Sequence, residues 1–282
     1  MVVLIGDGSV NPGAFVSNNV GANMQRPQWT QLVDLTGDNK LDIVVSLNGA
    51  ATGNIAHLIN QGTATFMYNG ANNLNSGTSP YSLAMGDFNK DGKPDIAAIQ
   101  RITGANVVPF KHNGVGNAPW LTAGNTAMSG SGTTYAAVAE DFDKDGNIDI
   151  VTVNNLATGT ISFLKGNGQG GFTNAAAANI FTVGAAPEHI VAADLNGDGF
   201  MDVMTANYGG TGASGTVSWL LGNGDGTFQG MQNLSMANAK FNSVAAADFN
   251  KDGIMDIVAT DYRMAGTGGN EGGVVIFKGT GQ

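Results

Sequence analysis

The sequence predicts an all-β protein, a β-propeller of five four-stranded antiparallel blades, on three observations. An acidic nonapeptide recurs five times, beginning at Asp34, Asp87, Asp141, Asp194 and Asp248. Successive starts are 53 or 54 residues apart, a period that fits one four-stranded blade. The runs that follow the nonapeptides are short, apolar and rich in β-branched residues, and Gly, the residue of tight turns, occurs 43 times in 282 residues.

Each repeat reads as four strands in order. In the second copy, Tyr81 to Asp87 is a strand running into the acidic loop, and Ile96 to Gln100 is a strand leaving it. Asn106 to Lys111 is the third strand and Trp120 to Thr126 a weaker fourth. Such a unit cannot bury its apolar faces alone, so neighbouring blades must stack on it. The third strand ends in a recurring hairpin signal: Gly6-Asp7-Gly8, Asn60-Gln61-Gly62, His112-Asn113-Gly114, Gly166-Asn167-Gly168, Gly222-Asn223-Gly224 and Gly279-Thr280-Gly281. These turns number six against five acidic loops. The chain therefore starts mid-repeat, with strands three and four, and ends with strands one, two and three. Residues 1–29 are expected to complete the last blade through a strand near Ala14 to Asn18, making 1–282 one domain. The extra strand, Val2 to Ile5, then offers a route to self-assembly by strand addition.

The loop between strands one and two carries oxygen side chains at positions 1, 3, 5 and 9. They are Asp34, Thr36, Asp38 and Asp42; Asp87, Asn89, Asp91 and Asp95; Asp141, Asp143, Asp145 and Asp149; Asp194, Asn196, Asp198 and Asp202; Asp248, Asn250, Asp252 and Asp256. Calcium is a hard cation that takes six to eight oxygens, and alternating oxygen side chains let a tight loop curl around one ion. Position 7 (Lys40, Lys93, Asn147, Phe200, Ile254) varies freely, as expected of a residue that offers only its carbonyl. Position 6 is Gly92, Gly146, Gly199 or Gly253, with Asn39 in the first loop, all residues that accept positive φ. Asp-Asn-Gly clusters are also ordinary turn formers. Five copies at one period, each with Asp at positions 1, 5 and 9, favour the metal. The loops hold 16 of the 22 acidic residues, and about five Ca2+ ions would offset the formal charge of -10. An EF-hand is excluded because position 12 is Val45, Ala98, Thr152, Thr205 or Ala259, never Glu. The first loop, with Thr36 and Asn39, is expected to bind most weakly, and the third, with Asp143, most tightly.

Asp194-Leu195-Asn196-Gly197-Asp198-Gly199-Phe200-Met201-Asp202-Val203, followed by Thr205-Ala206-Asn207-Tyr208-Gly209 and by Val217 through Gly222-Asn223-Gly224-Asp225-Gly226-Thr227-Phe228, resembles the FG-GAP/VCBS repeat. That family includes the integrin alpha-subunit propeller and a group of fungal propeller lectins. The resemblance covers essentially the whole chain. It implies a calcium-stabilised β-propeller, usually extracellular, that binds ligands and has no catalytic apparatus of its own. Family members often have six or seven blades, against five loops here.

Composition narrows the function. An isoelectric point near 4.4, with only 12 Lys and Arg and no cluster of them, argues against nucleic-acid binding. The absence of Cys excludes disulfides, thiolate metal sites and Cys nucleophiles. No apolar run reaches membrane-spanning length. Such calcium loops fill where free calcium is millimolar, which favours an extracellular or cell-surface location. Met1 to Gly6 lacks the basic start and long apolar stretch of an export signal.

The start of strand one and the turn after strand two should share the face opposite the loops. That face carries Trp29, Tyr81, Tyr135 and His189, then Asn48, Arg101, Asn155, Tyr208, Asp261 and Tyr262. Aromatic and amide groups around a pocket suit sugar or peptide binding, although the same aromatics could simply plug the ring. His57, His112 and His189 fall at unlike places in their repeats and do not pair as zinc ligands. No nucleophile motif and no phosphate loop is present, so no enzyme is expected. The expected function is extracellular recognition or adhesion, with a glycan the first ligand to test and a protein the second. A building block of a surface layer or fibre is the runner-up, and a polysaccharide-active enzyme the third reading.

Overall fold

The computed structural model describes residues 2–6, 15–19, 24, 26–48, 53–62, 65–68, 73–77, 79–102, 104, 106–112, 120–122, 127–128, 132–210, 212–263 and 272–280. The described residues form an all-β, propeller-like succession of antiparallel sheets. β1 (Val2–Gly6) and β2 (Phe15–Asn19) pair in a two-stranded sheet. The first full sheet is β3 (Pro27–Val33), β4 (Asp42–Leu47) and β5 (Gly53–Asn60), with β6 (Phe66–Tyr68) and β7 (Leu74–Gly77) both on the outer edge of β5. The second repeats this with β8 (Pro80–Gly86), β9 (Asp95–Gln100), β10 (Asn106–His112), β11 (Trp120–Thr122) and β12 (Ala127–Met128). The fourth strand expected at Trp120 to Thr126 is thus two short pieces. The third sheet is β13 (Thr133–Glu140), β14 (Asp149–Asn155), β15 (Thr160–Leu164) and β16 (Ile180–Thr182). The fourth is β17 (Pro187–Ala193), β18 (Asp202–Asn207), β19 (Thr216–Leu220) and β20 (Gln232–Ser235). The fifth has three strands: β21 (Phe241–Ala247), β22 (Asp256–Asp261) and β23 (Gly273–Phe277). No helix among the described residues is long and apolar enough to cross a membrane.

Burial follows from stacking. β4, β9 and β18 are buried at every position, because a sheet packed on both faces needs apolar side chains on both. Four cores lie between successive sheets. Val44 and Ile55 meet Leu83 and Phe110; Ile99 and Val107 meet Ile150 and Leu164; Val153 and Ile161 meet Ile190 and Leu220; Met204 and Val217 meet Phe241 and Val244. The remaining core, around Val45, Ala56 and Leu58, is built from the first sheet alone with Met24, Phe66 and Tyr68. The two end sheets therefore differ from the inner ones. Leu32 on β3 is 60% exposed, and on the fifth sheet Val274 and Ile276 are 67% and 65% exposed.

A second device links neighbouring sheets. Phe88, at position 2 of the second loop, meets Phe172 of the third repeat edge-on, with centroids 5.0 Å apart. Phe142 of the third loop meets Phe228 of the fourth repeat at 5.8 Å. The turns carrying Phe172 and Phe228 also donate from Gly170 N to Phe88 O and from Gly226 N to Phe142 O. Phe249, the equivalent on the fifth loop, is 52% exposed.

The first strands of the sheets lie innermost. β3, β8, β13 and β17 line a cavity of about 300 Å³, through Gln31, Leu83 to Met85, Ala137 to Glu140, Val191 and Ala192. Each first strand is bulged against its partner at the same place: Pro27/Thr30, Pro80/Ser82, Thr134/Ala137, Pro187/His189 and Phe241/Ser243. A bulge inserts an extra residue and re-aims its side chain. This one lies at the end of the strand away from the acidic loop.

Candidate functional site

All five acidic loops curl by one hydrogen-bond scheme. The position 1 carboxylate accepts backbone N–H groups from across the loop: Gly37, Asp38 and Asn39 to Asp34; Asp91 and Gly92 to Asp87; Gly146 to Asp141; Gly197, Asp198 and Gly199 to Asp194; Asp252 and Gly253 to Asp248. Position 6 has positive φ in every loop, from 64° at Asn39 to 84° at Gly253. So does position 4, where Lys90, Lys144 and Lys251 stand at 61°, 59° and 63°. The position 5 carboxylate accepts the N–H of position 7 in each loop, at Lys40, Lys93, Asn147, Phe200 and Ile254.

Position 9 has a role that the alternating pattern does not reveal. Asp42, Asp95, Asp149, Asp202 and Asp256 are all buried. One oxygen of each accepts the N–H of position 2, at Leu35, Phe88, Phe142, Leu195 and Phe249. The other accepts an N–H where the third strand ends, at Asn60, His112, Gly166, Gly222 and Gly279. These aspartates staple the loop to the third strand. The approach is so close that a Cβ on Gly166 would lie 2.1 Å from Ile148 O, and one on Gly222 2.3 Å from Met201 O. That contact explains why the recurring turn begins with Gly in its last three copies.

The third loop brings three carboxylates together. Asp141, Asp143 and Asp149 each place an oxygen within 4.8 Å of the others. Asp141 Oδ1 is buried with no hydrogen-bond partner. Burial, reinforced by Asp143 and Asp145, pushes Asp149 up to about 7, and burial likewise pushes Asp95 up to about 6. Asp42 and Asp202 are raised for the same reason. Asp145 is held down at about 2 by the Lys165 ammonium, which bonds it at 2.8 Å and also bonds Asp143. The ammonium occupies the position of a cation between the two side chains. Three clustered carboxylates, one of them buried, with one unpartnered buried oxygen make an all-oxygen donor set that fits a hard divalent cation. In the first and fifth loops a lysine meets one carboxylate rather than two, Lys40 on Asp38 at 2.6 Å and Lys278 on Asp252 at 3.5 Å.

The aromatic residues expected on the opposite face fall into two groups. The first closes on itself at the mouth of the axis. Tyr81 and Tyr135 pack edge-on at 5.4 Å, and Arg101 lies over both rings, at 5.0 and 4.3 Å, while donating to Tyr135 Oη at 2.6 Å. Trp29 meets His189 of the fourth sheet at 5.3 Å, and His189 Nδ1 accepts the N–H of Val244. Burial raises Tyr81 and Glu188, opposed in both by Arg101. The second group is Tyr208 and Tyr262, which line a separate cleft of about 290 Å³ between the fourth and fifth sheets, with Gly212, Ala213, Asn238, Lys240 and Arg263.

The sequence profile of the FG-GAP-like repeat matches residues 34–98, 141–205 and 207–259, well over half of the chain. The chain belongs to the FG-GAP-like repeat family. No curated protein sequence matches it. Among solved structures, the biofilm matrix protein Bap1 of V. cholerae aligns over 92% of this chain and 38% of its own, at 16% identity and a TM-score of 0.46. The chain thus spans 38% of that protein's length. An endo-arabinase from Bacteroides thetaiotaomicron VPI-5482 aligns over 91% of this chain and 97% of its own, at 10% identity and a TM-score of 0.48.

Within these FG-GAP repeats the residue that shares the bulge position of Tyr81 and Tyr135 is Glu188, six before its loop, and not His189. Counting back from each loop would have found it. Lys240, the cation of the second cleft, precedes strand one of the fifth repeat. It occupies the position of Arg26, Ser79 and Ala186, whose carbonyls accept the N–H of the residue after strand two, as Lys240 O does from Tyr262.

Proposed function

We propose that this protein is a calcium-stabilised extracellular recognition module, a five-bladed propeller whose ligand is a glycan, and that it is not an enzyme. The observation that carries the metal is Asp141 Oδ1, a buried oxygen without a partner beside Asp143 and Asp149. In each loop the side chains at positions 1, 3, 5 and 9 and the carbonyl of position 7 would hold one ion, giving about five in all. A bound cation supplies the positive charge that lets these carboxylates ionise together. The loop's own residues hold position 1 and position 9 in place through backbone N–H groups before any ion arrives. Free calcium at the millimolar level outside cells suits sites of this kind.

Ring closure belongs to the same reading. The axial cavity is lined by four first strands, and Trp29 of the first sheet reaches His189 of the fourth. Meeting of the fifth and first sheets would cover Val274, Ile276 and Leu32, and β2 would complete the last blade along β23. Ligand recognition rests on the cleft that holds the exposed Tyr262, because Tyr81, Tyr135 and Trp29 are already engaged by Arg101 and His189.

Two measurements test this. Calcium titrated into chelator-treated protein should raise the melting temperature saturably, and Asp141→Asn should weaken the effect. A glycan array should then return hits that depend on calcium. Hits absent at every calcium level would favour the second reading, a structural building block, which the exposed apolar strand β23 supports.

A further inference from the structure

The cleft between the fourth and fifth sheets is positively charged on a protein whose net charge is -10. Its two cations are not equivalent. Arg263 is already paired: its Nε lies 2.5 Å from Oδ2 of Asp261, whose side chain is fully buried. Asp261 Oδ1 accepts the backbone N–H of Lys240 at 2.8 Å, so that carboxylate is engaged on both oxygens. Lys240 Nζ lies over the Tyr208 ring at 5.1 Å and donates to Gly210 O and Ala213 O at 3.1 and 2.6 Å. Carbonyls orient an ammonium without neutralising it, and an ammonium has three donors. Lys240 therefore keeps one donor and its full charge, with no carboxylate among the described residues within ion-pair distance of it.

Tyr262, 53% exposed, lines the same cleft. A volume of about 290 Å³ lies at the small end of ligand pockets, which run to roughly 300–1,000 Å³, and suits one sugar ring. We propose that this cleft binds a hexuronic acid unit, with its carboxylate on Lys240 Nζ and the apolar face of its ring against Tyr262. One uncommitted cation matches a monoanion. The Asp261 carboxylate beside Arg263 Nε offsets that cation, which leaves the cleft one net positive charge. The inference rests on the reading of the protein as a glycan binder and names the sugar class for it.

Isothermal titration of calcium-loaded protein with glucuronate and galacturonate, against glucose and galactose, tests it. The uronates should bind about tenfold or more tightly than the neutral sugars, the factor expected of one charge-assisted hydrogen bond. Lys240→Met should erase that preference, and Tyr262→Ala should weaken both uronates while leaving the melting temperature unchanged. Uronates can also chelate calcium, but neither substitution touches the acidic loops, so a preference that survives Lys240→Met overturns the proposal. Equal binding of neutral and acidic sugars overturns it too. Binding of a neutral glycan that ignores both substitutions would keep the glycan reading and discard this site. Failure of every saccharide to bind would discard both. If Lys240→Met melts early, Tyr262→Ala alone decides, because its ring is exposed and its loss should not unfold the sheet.

Discussion

Asp149 does two jobs that one substitution can separate. Its oxygens accept the N–H groups of Phe142 and Gly166, and one of them also reaches the cluster of Asp141 and Asp143. In excess chelator only the first job remains. Asp149→Ala should then still destabilise the fold, by about 1–3 kcal/mol for each buried amide left without an acceptor. Asp145→Ala, whose side chain faces Lys165 near the surface, should cost little under the same conditions. Urea denaturation of both variants in chelator checks this; equal losses would mean that position 9 acts through the metal alone. The oxygen side chains at positions 1, 3 and 5 were legible in the sequence because they alternate. The staple was not, because its partners lie 17 to 23 residues downstream, at the end of the third strand. Lys165 was missed for a similar reason: nothing local ties a lysine just past the third strand to Asp143 and Asp145, 22 and 20 positions earlier.

At the level of elements, one repeat grips the next through a pair of phenylalanines. Both belong to motifs that the sequence displays, the loop's second position and the end of the Gly-rich turn. Their contact is legible only once the sheets are stacked, because each bridges two repeats. Phe228 touches Phe142 at 5.8 Å and Phe181 at 5.2 Å, within a buried core. Phe228→Ala should therefore cost about 3–5 kcal/mol, as other large core truncations do. Chemical denaturation gives the value, and a cost below about 1 kcal/mol would show that the latch is ornamental. Strands were the easiest element to read. β8, β9 and β10 fall within one residue of the runs Tyr81 to Asp87, Ile96 to Gln100 and Asn106 to Lys111. The bulge at the start of each first strand was invisible, since an extra residue in a strand leaves no mark on composition. The residue at that bulge in the fourth repeat is Glu188, in the place of Tyr81 and Tyr135.

For the whole molecule, the proposed calcium sites and the proposed closure are linked, because every loop joins the first two strands of its sheet. A ligand at 100 times its dissociation constant stabilises by about 2.7 kcal/mol per independent site. Several such sites rival a domain's entire stability of roughly 5–15 kcal/mol. Chelation should lower the melting temperature by well over about ten degrees, and a calorimetric scan that does not move in excess chelator would sink the structural role of the metal. Closure makes a separate prediction. Phe249 occupies the latch position of the fifth loop yet is 52% exposed, and Val274 and Ile276 on β23 of the same sheet are exposed as well. In the proposed ring the turn ending at Phe66 supplies the missing latch, as Phe172 and Phe228 do elsewhere, and residues 1–29 cover the edge of β23. Phe249→Ala should then cost more than the ~0.5 kcal/mol typical of an exposed side chain, and only while calcium is bound. Deleting residues 1–20 should lower the melting temperature of the monomer, because an uncovered β23 leaves an open sheet edge. A deletion that spares stability but abolishes concentration-dependent oligomers in light scattering would reassign that edge to a second copy of the chain. A silent Phe249→Ala together with a silent deletion would mean that the fifth and first sheets do not meet at all.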